Sequence, residues 1–389
     1  MIDKDLGYYL CNGVSFASKI DACIYSKVVN KPVEWMFHQD EFATYPWNIE
    51  PTETLDELYD KRSRELREQY DYIILSYSGG ADTNNILESF IRQGLHIDEI
   101  LTNHITDATK SMTIIDPNVK DNWNFAAEHE LQAIPRLQYI NKHLPRTKIT
   151  VLDVSNTIMD SLKSFDDASW VLGKNDYLSV GQLFRYNYFH FNQMKKQFDK
   201  NLKIAIIVGV DKVKTYISEN NDFYLYFNDN TASVASVNDF NKDYTNIKTE
   251  LFYWSKNTAP LVCKQAHTVK NWLEANTGQQ EMWKNTSFTS SRLYQERILR
   301  RLLYPTTWDD SWYQADKGTG WWHSEFDNWF RKNPAFAKEH AQWRRGIFYL
   351  VDKLPDMIVF NSKGDPDSLT RFTHEFYVGK IQNTASSKR

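Results

Sequence analysis

Stretches of consecutive apolar residues alternate with stretches of helical periodicity between residues 52 and 211. The apolar stretches YIILSYS, EILTNHI, KITVLDVS and LKIAIIVGV have the composition of strands that are buried on both faces. Segments such as TNNILESFIRQG and NTIMDSLKSF lie between them and carry apolar residues at helical spacing. This alternation predicts an α/β fold with a parallel sheet and helices on both faces. Ligands of such sheets bind at the carboxyl ends of the strands.

The pattern changes on both sides of this region. Residues 1–50 combine the alternating stretch GYYLCNGVSF, a helical pattern and the run PVEWMFH, which predicts a small strand-helix-strand cap. Residues 51–216 form the predicted α/β domain, whose first helix, TETLDELYDKRSRELREQY, opens with Thr52 as its N-cap. Residues 217–380 begin with a polar stretch and continue as a Trp-rich, mainly helical region that we expect to bind the second substrate. The small polar residues of 381–389 predict a flexible tail.

The composition argues against disulfide-rich, membrane-spanning and strongly basic classes of protein. The chain has 389 residues, which suffice to bury a core without disulfides or a structural metal. Its 46 Lys and Arg residues and 50 Asp and Glu residues give a formal net charge of -4, which argues against a global basic field for nucleic acid. Three scattered cysteines do not make a disulfide framework, and no apolar run has the length of a membrane span. The sequence therefore predicts a soluble cytoplasmic protein without membrane contact.

The stretch ILSYSGGADT places two glycines between an apolar strand and a helix. Gly79 and Gly80 permit a tight turn with exposed backbone amides, and the helix N-terminus adds positive partial charge. Ser78 and Thr83 supply hydroxyl donors, so the loop predicts a phosphate site. Asp82 would repel a bound phosphate unless a divalent cation lies between them, which predicts Mg²⁺. The alternative is a plain turn with Asp82 as a helix cap.

The loop Ser78-Gly79-Gly80-Ala81-Asp82-Thr83 resembles the S-G-G-x-D-[ST] loop of the PP-loop ATP pyrophosphatase superfamily. That superfamily includes asparagine synthetase, GMP synthetase and several tRNA- and base-modifying enzymes. The resemblance is strong over residues 70–101 and continues as one of topology to about Asp211. Family members often have Ser where this chain has Thr83, and another Ser where it has Asn84. The resemblance implies an adenine nucleotide alpha hydrolase-like fold.

The resemblance also implies a reaction. ATP binds with Mg²⁺, a substrate oxygen attacks the α-phosphate, pyrophosphate leaves, and a nitrogen nucleophile takes the activated group, as in an asparagine synthetase-like ligase. Asp82 is the implied ligand of Mg²⁺, and the strand EILTNHI is expected to contact adenine through its backbone. The residues implied to bind ATP are Ser76, Ser78, Gly79, Gly80, Ala81, Asp82, Thr83, Leu101 and Asn103.

The stretch IAIIVGVDKVKTY repeats the pattern of a strand followed by glycine and an acidic residue. It resembles the second glycine-acid motif of asparagine synthetase-type enzymes but has fewer glycine and acidic residues. Asp211 is therefore a candidate second metal ligand beside Asp82, or else an ordinary capping residue. Lys212 is the first candidate for neutralising charge on the α-phosphate, ahead of Lys214 and Lys174. The alternative for these lysines is a solvated position.

The acceptor of the activated group stays open between a small molecule and a nucleobase in DNA or RNA. The stretches RLYQERILRRLLYP and QWRRG interleave basic and aromatic residues, which suits single-stranded nucleic acid, but amphipathic helices with solvated basic faces give the same pattern. The histidine and cysteine spacings do not match a zinc site. About 70 residues precede the loop, too few for an amidotransferase domain, so ammonia, an amine or another subunit is the expected nitrogen source. The competing hypothesis is a non-catalytic nucleotide-binding protein. It is favoured by the stretch GVDK, which has fewer glycine and acidic residues than the family motif.

Overall fold

The computed structural model describes most of the α/β region and parts of the C-terminal half. The described residues are 2, 4–104, 129–153, 201–231, 245–284, 290–311, 333–354, 359–360, 366–368 and 372–382. The helices predicted within 154–200, together with Lys174, lie outside the described residues.

Between residues 55 and 153, the described helices and strands follow the predicted alternation. The strands are β1 (Tyr8–Cys11), β2 (Val14–Phe16), β3 (Glu34–Met36), β4 (Tyr72–Ser76), β5 (Glu99–His104), β6 (Lys148–Asp153), β7 (Ile204–Val208), β8 (Lys214–Ile217), β9 (Asp222–Tyr226), β10 (Ile247–Leu251), β11 (Val359–Phe360), β12 (Pro366–Ser368) and β13 (Phe376–Lys380). The helices are α1 (Lys19–Val29), α2 (Gln39–Thr44), α3 (Leu55–Gln69), α4 (Ala81–Arg92), α5 (Ile134–His143), α6 (Ala259–Ala275), α7 (Gln280–Lys284), α8 (Ser290–Leu303) and α9 (Ala337–Lys353). A π-helical turn, His129–Ala133, leads directly into α5.

The central sheet has five parallel strands in the order β10-β7-β4-β5-β6. The parallel sheet of the predicted α/β class is therefore confirmed. Strand β4 lies in the middle, with Ile74 paired to Ile206 of β7 on one side and to Glu99 of β5 on the other. Because all five strands run in the same direction, the loops that follow β4, β7 and β10 meet at one edge of the sheet.

Burial of the central strands and of the helix after β4 holds this arrangement. Ile73, Ile74 and Leu75 of β4 are fully buried, as are the first four residues of β7, Ile204 to Ile207. Helix α4 packs against α3 and buries Leu87 and Phe90. Each such side chain contributes about 1.5–3 kcal/mol by leaving water. Helix α4, which follows the predicted phosphate loop, is thus held in place by its buried face.

Helix α3 begins two residues later than the sequence pattern predicts. Its N-cap is Thr54, not Thr52, because Thr54 and Glu57 form a capping box. The Thr54 hydroxyl accepts from the Glu57 N–H at 3.2 Å, and the Glu57 carboxylate accepts from the Thr54 N–H at 2.8 Å. These bonds satisfy two donors that the helix end leaves free.

Besides the central sheet and the antiparallel pair β11-β12, the described residues form two antiparallel sheets of three strands each. In the N-terminal residues, β1 lies between β2 and β3, and Asn12 and Gly13 turn the chain with positive φ, as the Asn-Gly pair predicts. The other sheet has the order β13-β9-β8. The described part of residues 217–380 contains α6 to α9 and also β9 to β13. Among these is β10, an edge strand of the central sheet that the sequence pattern did not indicate.

Candidate functional site

The loop between β4 and α4 has the geometry that its two glycines permit. Gly79 has a φ of +77°, and Gly80 is the N-cap of α4 with a φ of -68°. A Cβ atom on Gly79 would lie 2.9 Å from the Cα of Ala133, in the π-helical turn that packs against the loop. Gln132 of the same turn donates from Nε2 to the Gly79 carbonyl at 2.6 Å. Only glycine fits this conformation and this contact.

Two hydroxyl groups line the turn. Ser78 Oγ accepts from the Gly80 N–H at 3.2 Å and lies 3.4 Å from Thr83 Oγ1. Thr83 in turn donates to the Gly80 carbonyl at 3.2 Å. Because the first amides of a helix lack partners within the helix, these hydroxyls and the start of α4 form an arrangement that suits an anion. Ala81 is the first residue of α4 and is buried.

The loop after β7 lies against the first loop. A Cβ atom on Gly209 would lie 3.1 Å from Thr83 Cγ2 and 3.3 Å from the Thr83 nitrogen. Glycine at this position therefore lets the two loops approach closely. The closeness follows from the direct pairing of β4 with β7, which brings the residues after Ser76 and after Val208 to the same edge.

Two lysines and three carboxylates meet where the loops adjoin. Lys212 Nζ lies 2.7 Å and 2.9 Å from the two carboxylate oxygens of Asp82 and 3.3 Å from Glu296 of α8. Lys214 Nζ lies 2.8 Å from Asp211 and 3.8 Å from the same Glu296. The structure thus brings Asp82, Asp211, Lys212 and Lys214 together as the strand order requires. It adds Glu296, which no sequence motif indicated.

The charged groups of this cluster stabilise one another in their ionised forms. Lys212 is 4% exposed, and burial alone would favour its neutral form. The carboxylates of Asp82, Glu296 and Asp211 outweigh this effect, so the pKa of Lys212 is raised above its usual value. Burial would also favour neutral Asp211, yet Lys214 and Lys212 hold its pKa below the usual value. Lys212 is therefore an ammonium and Asp211 a carboxylate at neutral pH.

Two buried tyrosines fix Asp82 from the other side. Tyr304 donates its hydroxyl to Asp82 Oδ1 at 2.5 Å, and Tyr253 donates to the Asp82 carbonyl at 2.8 Å. Asn85 donates to the Tyr253 hydroxyl at 3.1 Å. Burial, followed by the charge of Asp82, raises the pKa of both tyrosines well above the usual value, so both remain neutral donors. Neither tyrosine belongs to a local motif that would have marked it.

Asn84 occupies a structural position. It is fully buried, and its Oδ1 accepts from Arg136 Nε at 3.0 Å and from the Tyr77 hydroxyl at 3.3 Å. Arg136 of α5 also pairs with Glu88 at 3.2 Å. The amide that stands where superfamily members often have serine therefore links α4 to α5.

The candidates for adenine contact lie in β5. Leu101 is buried in an apolar cluster, and its carbonyl accepts from the Tyr77 N–H at 2.8 Å. Ser76 ends β4 and pairs with Leu101, while Asn103 pairs with Leu152 of β6. The carbonyl of Leu101 is thus engaged within the protein, and a role of Leu101 and Asn103 toward adenine stays a prediction.

A Mg²⁺ ion that is shared with phosphates fits the donors present. Within the described residues, no group of three or more His, Cys, Asp or Glu side chains is arranged to hold a metal ion. Mg²⁺ commonly uses only one or two protein carboxylates and takes its other ligands from phosphates and water. The Asp82 side chain is 27% exposed and that of Asp211 17%, so both retain an open side. Their carboxylates suit an ion that also takes ligands from phosphates and water, and not a site in which the protein supplies every ligand.

The basic residues of the C-terminal helices are partly engaged within the protein. The Arg300 guanidinium lies 5.7 Å from the centre of the Trp308 ring, and Arg301 pairs with Asp310 at 2.9 Å. Arg344 lies 5.5 Å from the ring centre of Phe348. These contacts neither require nor exclude a nucleic-acid ligand, so that partner stays a prediction.

Comparisons with known proteins add no relative: the chain matches no protein family and no curated protein sequence. The resemblance to PP-loop enzymes therefore depends on the residues of the loop and on their setting. None of the helices in the part of the chain that the structure describes has the length and apolar character to cross a membrane.

Proposed function

We propose that the protein is an ATP-dependent synthetase that adenylates a substrate oxygen and transfers the activated group to a nitrogen nucleophile. One observation carries the proposal. The adjacent parallel strands β4 and β7 place the glycine loop of residues 78–83 and the loop of residues 209–213 at the same edge of the sheet, and Lys212 Nζ lies 2.7 Å from Asp82 Oδ1. The fold that best accounts for this pairing is the adenine nucleotide alpha hydrolase-like fold. The chemistry is that of an asparagine synthetase-like ligase.

The loop residues would bind the β- and γ-phosphates. The Ala81 amide, the hydroxyls of Ser78 and Thr83 and the N-terminal dipole of α4 all favour an anion at this place. Gly79 holds the turn open in its left-handed conformation. Asp82 and Asp211 would hold Mg²⁺, which when bound neutralises charge on the departing pyrophosphate.

Lys212 is the group best suited to the developing charge. The substrate oxygen attacks the α-phosphorus, the bond from phosphorus to the β-phosphate oxygen breaks, and pyrophosphate leaves with the bonding electrons. An ammonium fixed beside the phosphate loop stabilises that charge without needing to reorganise. The nitrogen nucleophile then attacks the activated centre, AMP leaves, and a proton is lost from the nitrogen.

The test is release of pyrophosphate and AMP from MgATP by the purified protein, with separate pools of amino acids, nucleotides and nucleic acid. We expect one pool to stimulate release. Asp82→Asn should lower the stimulated rate by about a hundredfold or more, since it removes a charge at the reacting phosphates. Asp352→Asn, a change in an exposed ion pair, should leave the rate unchanged.

Each other outcome contradicts a specific part of the proposal. Formation of ADP would refute attack at the α-phosphate. Binding of ATP without turnover in any pool would favour the non-catalytic nucleotide-binding protein. Stimulation by nucleic acid alone would assign a nucleobase as the acceptor instead of a small molecule.

A further inference from the structure

Helix α8 and the residue that follows it contact the candidate site at two places. Glu296 lies 3.3 Å from Lys212 Nζ, and the Tyr304 hydroxyl donates to Asp82 at 2.5 Å. The Tyr304 N–H donates to the Arg300 carbonyl at 3.1 Å, so the last helical turn continues as far as Tyr304. Arg300 is therefore midway between two residues of one helix that both contact the site.

The helical repeat assigns the face on which Arg300 lies. Positions four apart differ by about 40° around the axis of an α-helix and by about 6 Å along it. Arg300 follows Glu296 by four positions and precedes Tyr304 by four, so it lies between them on the face that is turned to Lys212. The charges agree with this placement. The pKa of Lys212 depends first on burial and then on the nearby carboxylates, and the positive charge of Arg300 is close enough to lower it as well.

The guanidinium of Arg300 has no ion pair among the residues that the structure describes. It lies 5.7 Å from the centre of the Trp308 ring, and the residue is half-buried. The two lysines of the site differ in this respect, because Lys212 and Lys214 contact carboxylates at 2.7 Å and 2.8 Å. Arg300 thus brings to the described part of the site a cation whose hydrogen-bond donors remain available to a ligand.

The residues around Trp308 hold this guanidinium beside the start of α4. The Trp308 N–H donates to the Tyr304 carbonyl at 2.8 Å, and the Thr307 hydroxyl donates to Asn85 Oδ1 at 2.9 Å. A planar guanidinium that lies over an aromatic ring keeps its N–H donors for an oxyanion. Arg300 therefore borders the helix whose N-terminus and glycine loop already suit an anion.

The charge balance of the site favours a phosphate as that anion. The cluster contains the two ammonium groups of Lys212 and Lys214 and three carboxylates, so without Arg300 it has one negative charge in excess. Such a cluster does not attract a polyphosphate by itself. Arg300 balances the excess, and a guanidinium matches the geometry of two phosphate oxygens.

We propose that Arg300 binds the pyrophosphate part of ATP, donating to phosphate oxygens beside the start of α4. The inference rests on the proposed function, because it requires a nucleotide in the glycine loop. It adds a binding residue from α8, more than 200 positions after that loop. A carboxylate of the second substrate is the other source of an oxyanion at this place, and the test distinguishes the two.

The test is calorimetric binding by the full chain in excess Mg²⁺, with pyrophosphate, ATP and adenosine as separate probes. Arg300→Gln should weaken the binding of pyrophosphate and of ATP by about tenfold or more, since it removes a charged hydrogen-bond donor. It should leave the binding of adenosine unchanged, because adenosine has no phosphate. Arg300→Lys keeps the charge and loses the paired donors, so its loss should be intermediate.

Arg301→Gln is the matched control. It removes the same charge one position away, from a side chain that is 65% exposed and pairs with Asp310. It should change none of the three affinities by more than about twofold. Urea midpoints equal to that of the parent verify that the variants keep the fold, and Arg300→Lys tests the inference if Arg300→Gln does not fold.

The outcomes separate this inference from the proposed function. A parent protein that binds neither pyrophosphate nor ATP would refute both. A parent that binds them, with Arg300→Gln binding equally well, would refute the role of Arg300 alone. So would an equal loss of affinity for adenosine, or an equal effect of Arg301→Gln. Unchanged nucleotide affinities with a raised KM for the stimulating second substrate would assign Arg300 to an acidic group of that substrate and overturn the phosphate contact.

Discussion

Replacing Gly79 by alanine tests the geometry of the phosphate loop directly. Gly79 has a φ of +77°, where an L-residue costs about 1–2 kcal/mol. The added Cβ would also lie 2.9 Å from the Cα and 3.0 Å from the nitrogen of Ala133. These are backbone atoms of a packed turn, so overpacking adds about 1–3 kcal/mol. Gly79→Ala should therefore destabilise the fold by about 2–5 kcal/mol.

Two other glycines separate strain from contact. Gly94 has a φ of +62° and no described atom within 4 Å of an added Cβ, so Gly94→Ala should cost only the conformational part, about 1–2 kcal/mol. Gly80 has a φ of -68°, and among the described atoms its added Cβ would meet only the Ser78 hydroxyl oxygen, at 3.2 Å. Because a hydroxyl can move by rotation of χ1, Gly80→Ala should cost the least of the three.

Urea unfolding of the three variants and the parent provides the measurement. Shifts of the midpoint should be followed by far-UV circular dichroism and by tryptophan fluorescence, since a chain of 389 residues need not unfold in two states. The predicted order of destabilisation is Gly79→Ala, then Gly94→Ala, then Gly80→Ala. A Gly79→Ala shift no larger than that of Gly94→Ala would refute the close packing of the loop against Ala133.

Two further predictions concern ionisation and the support of Asp82. Burial lowers the pKa of His38 from 6.5 to about 4, so the unfolded chain takes up a proton in this window that the folded chain does not. Stability should thus fall as the pH drops from 6.5 toward 4, by up to about 3 kcal/mol, and His38→Asn should flatten this part of the urea-midpoint profile. Tyr304→Phe removes the 2.5 Å hydrogen bond to Asp82 and should cost about 1.5–3 kcal/mol in urea unfolding. The exposed control Tyr349→Phe should cost nothing measurable.

The part of the site that is contiguous in sequence was predictable. The order of strand, two glycines and helix specifies the turn locally, and the second strand locates Asp211 and Lys212 because parallel strands end at one edge. Only the helix start differs: α4 begins at Ala81, two residues before the segment TNNILESFIRQG that showed helical spacing, since Gly80 is the N-cap.

The rest of the site depends on tertiary packing. Tyr304 contacts Asp82 across 222 positions of sequence, and Glu296 reaches Lys212 from α8. No local pattern distinguishes these side chains from other residues of amphipathic helices. Strand β10 was missed for a related reason. Its Lys248 and Glu250 interrupt the apolar pattern. They lie two positions apart, on one face of the sheet, where they pair with each other at 3.5 Å and Glu250 pairs with Arg62 at 2.9 Å.

The Asp82 carboxylate has two roles that the structure reconciles. Within the fold it accepts from Lys212 and Tyr304, and without these bonds a buried ammonium would lose its nearest partner. The proposed reaction requires the same group to share a cation with phosphates. An ionised carboxylate offers about four acceptor positions, and the side chain remains 27% exposed, so both roles can be met at once. Asparagine at position 82 keeps one carbonyl oxygen for Lys212 and Tyr304, but it loses the charge and the second acceptor, which lies 2.9 Å from Lys212 Nζ. Loss of pyrophosphate release in an Asp82→Asn variant that keeps the urea midpoint of the parent would therefore assign the Asp82 carboxylate to the reaction and not to stability alone.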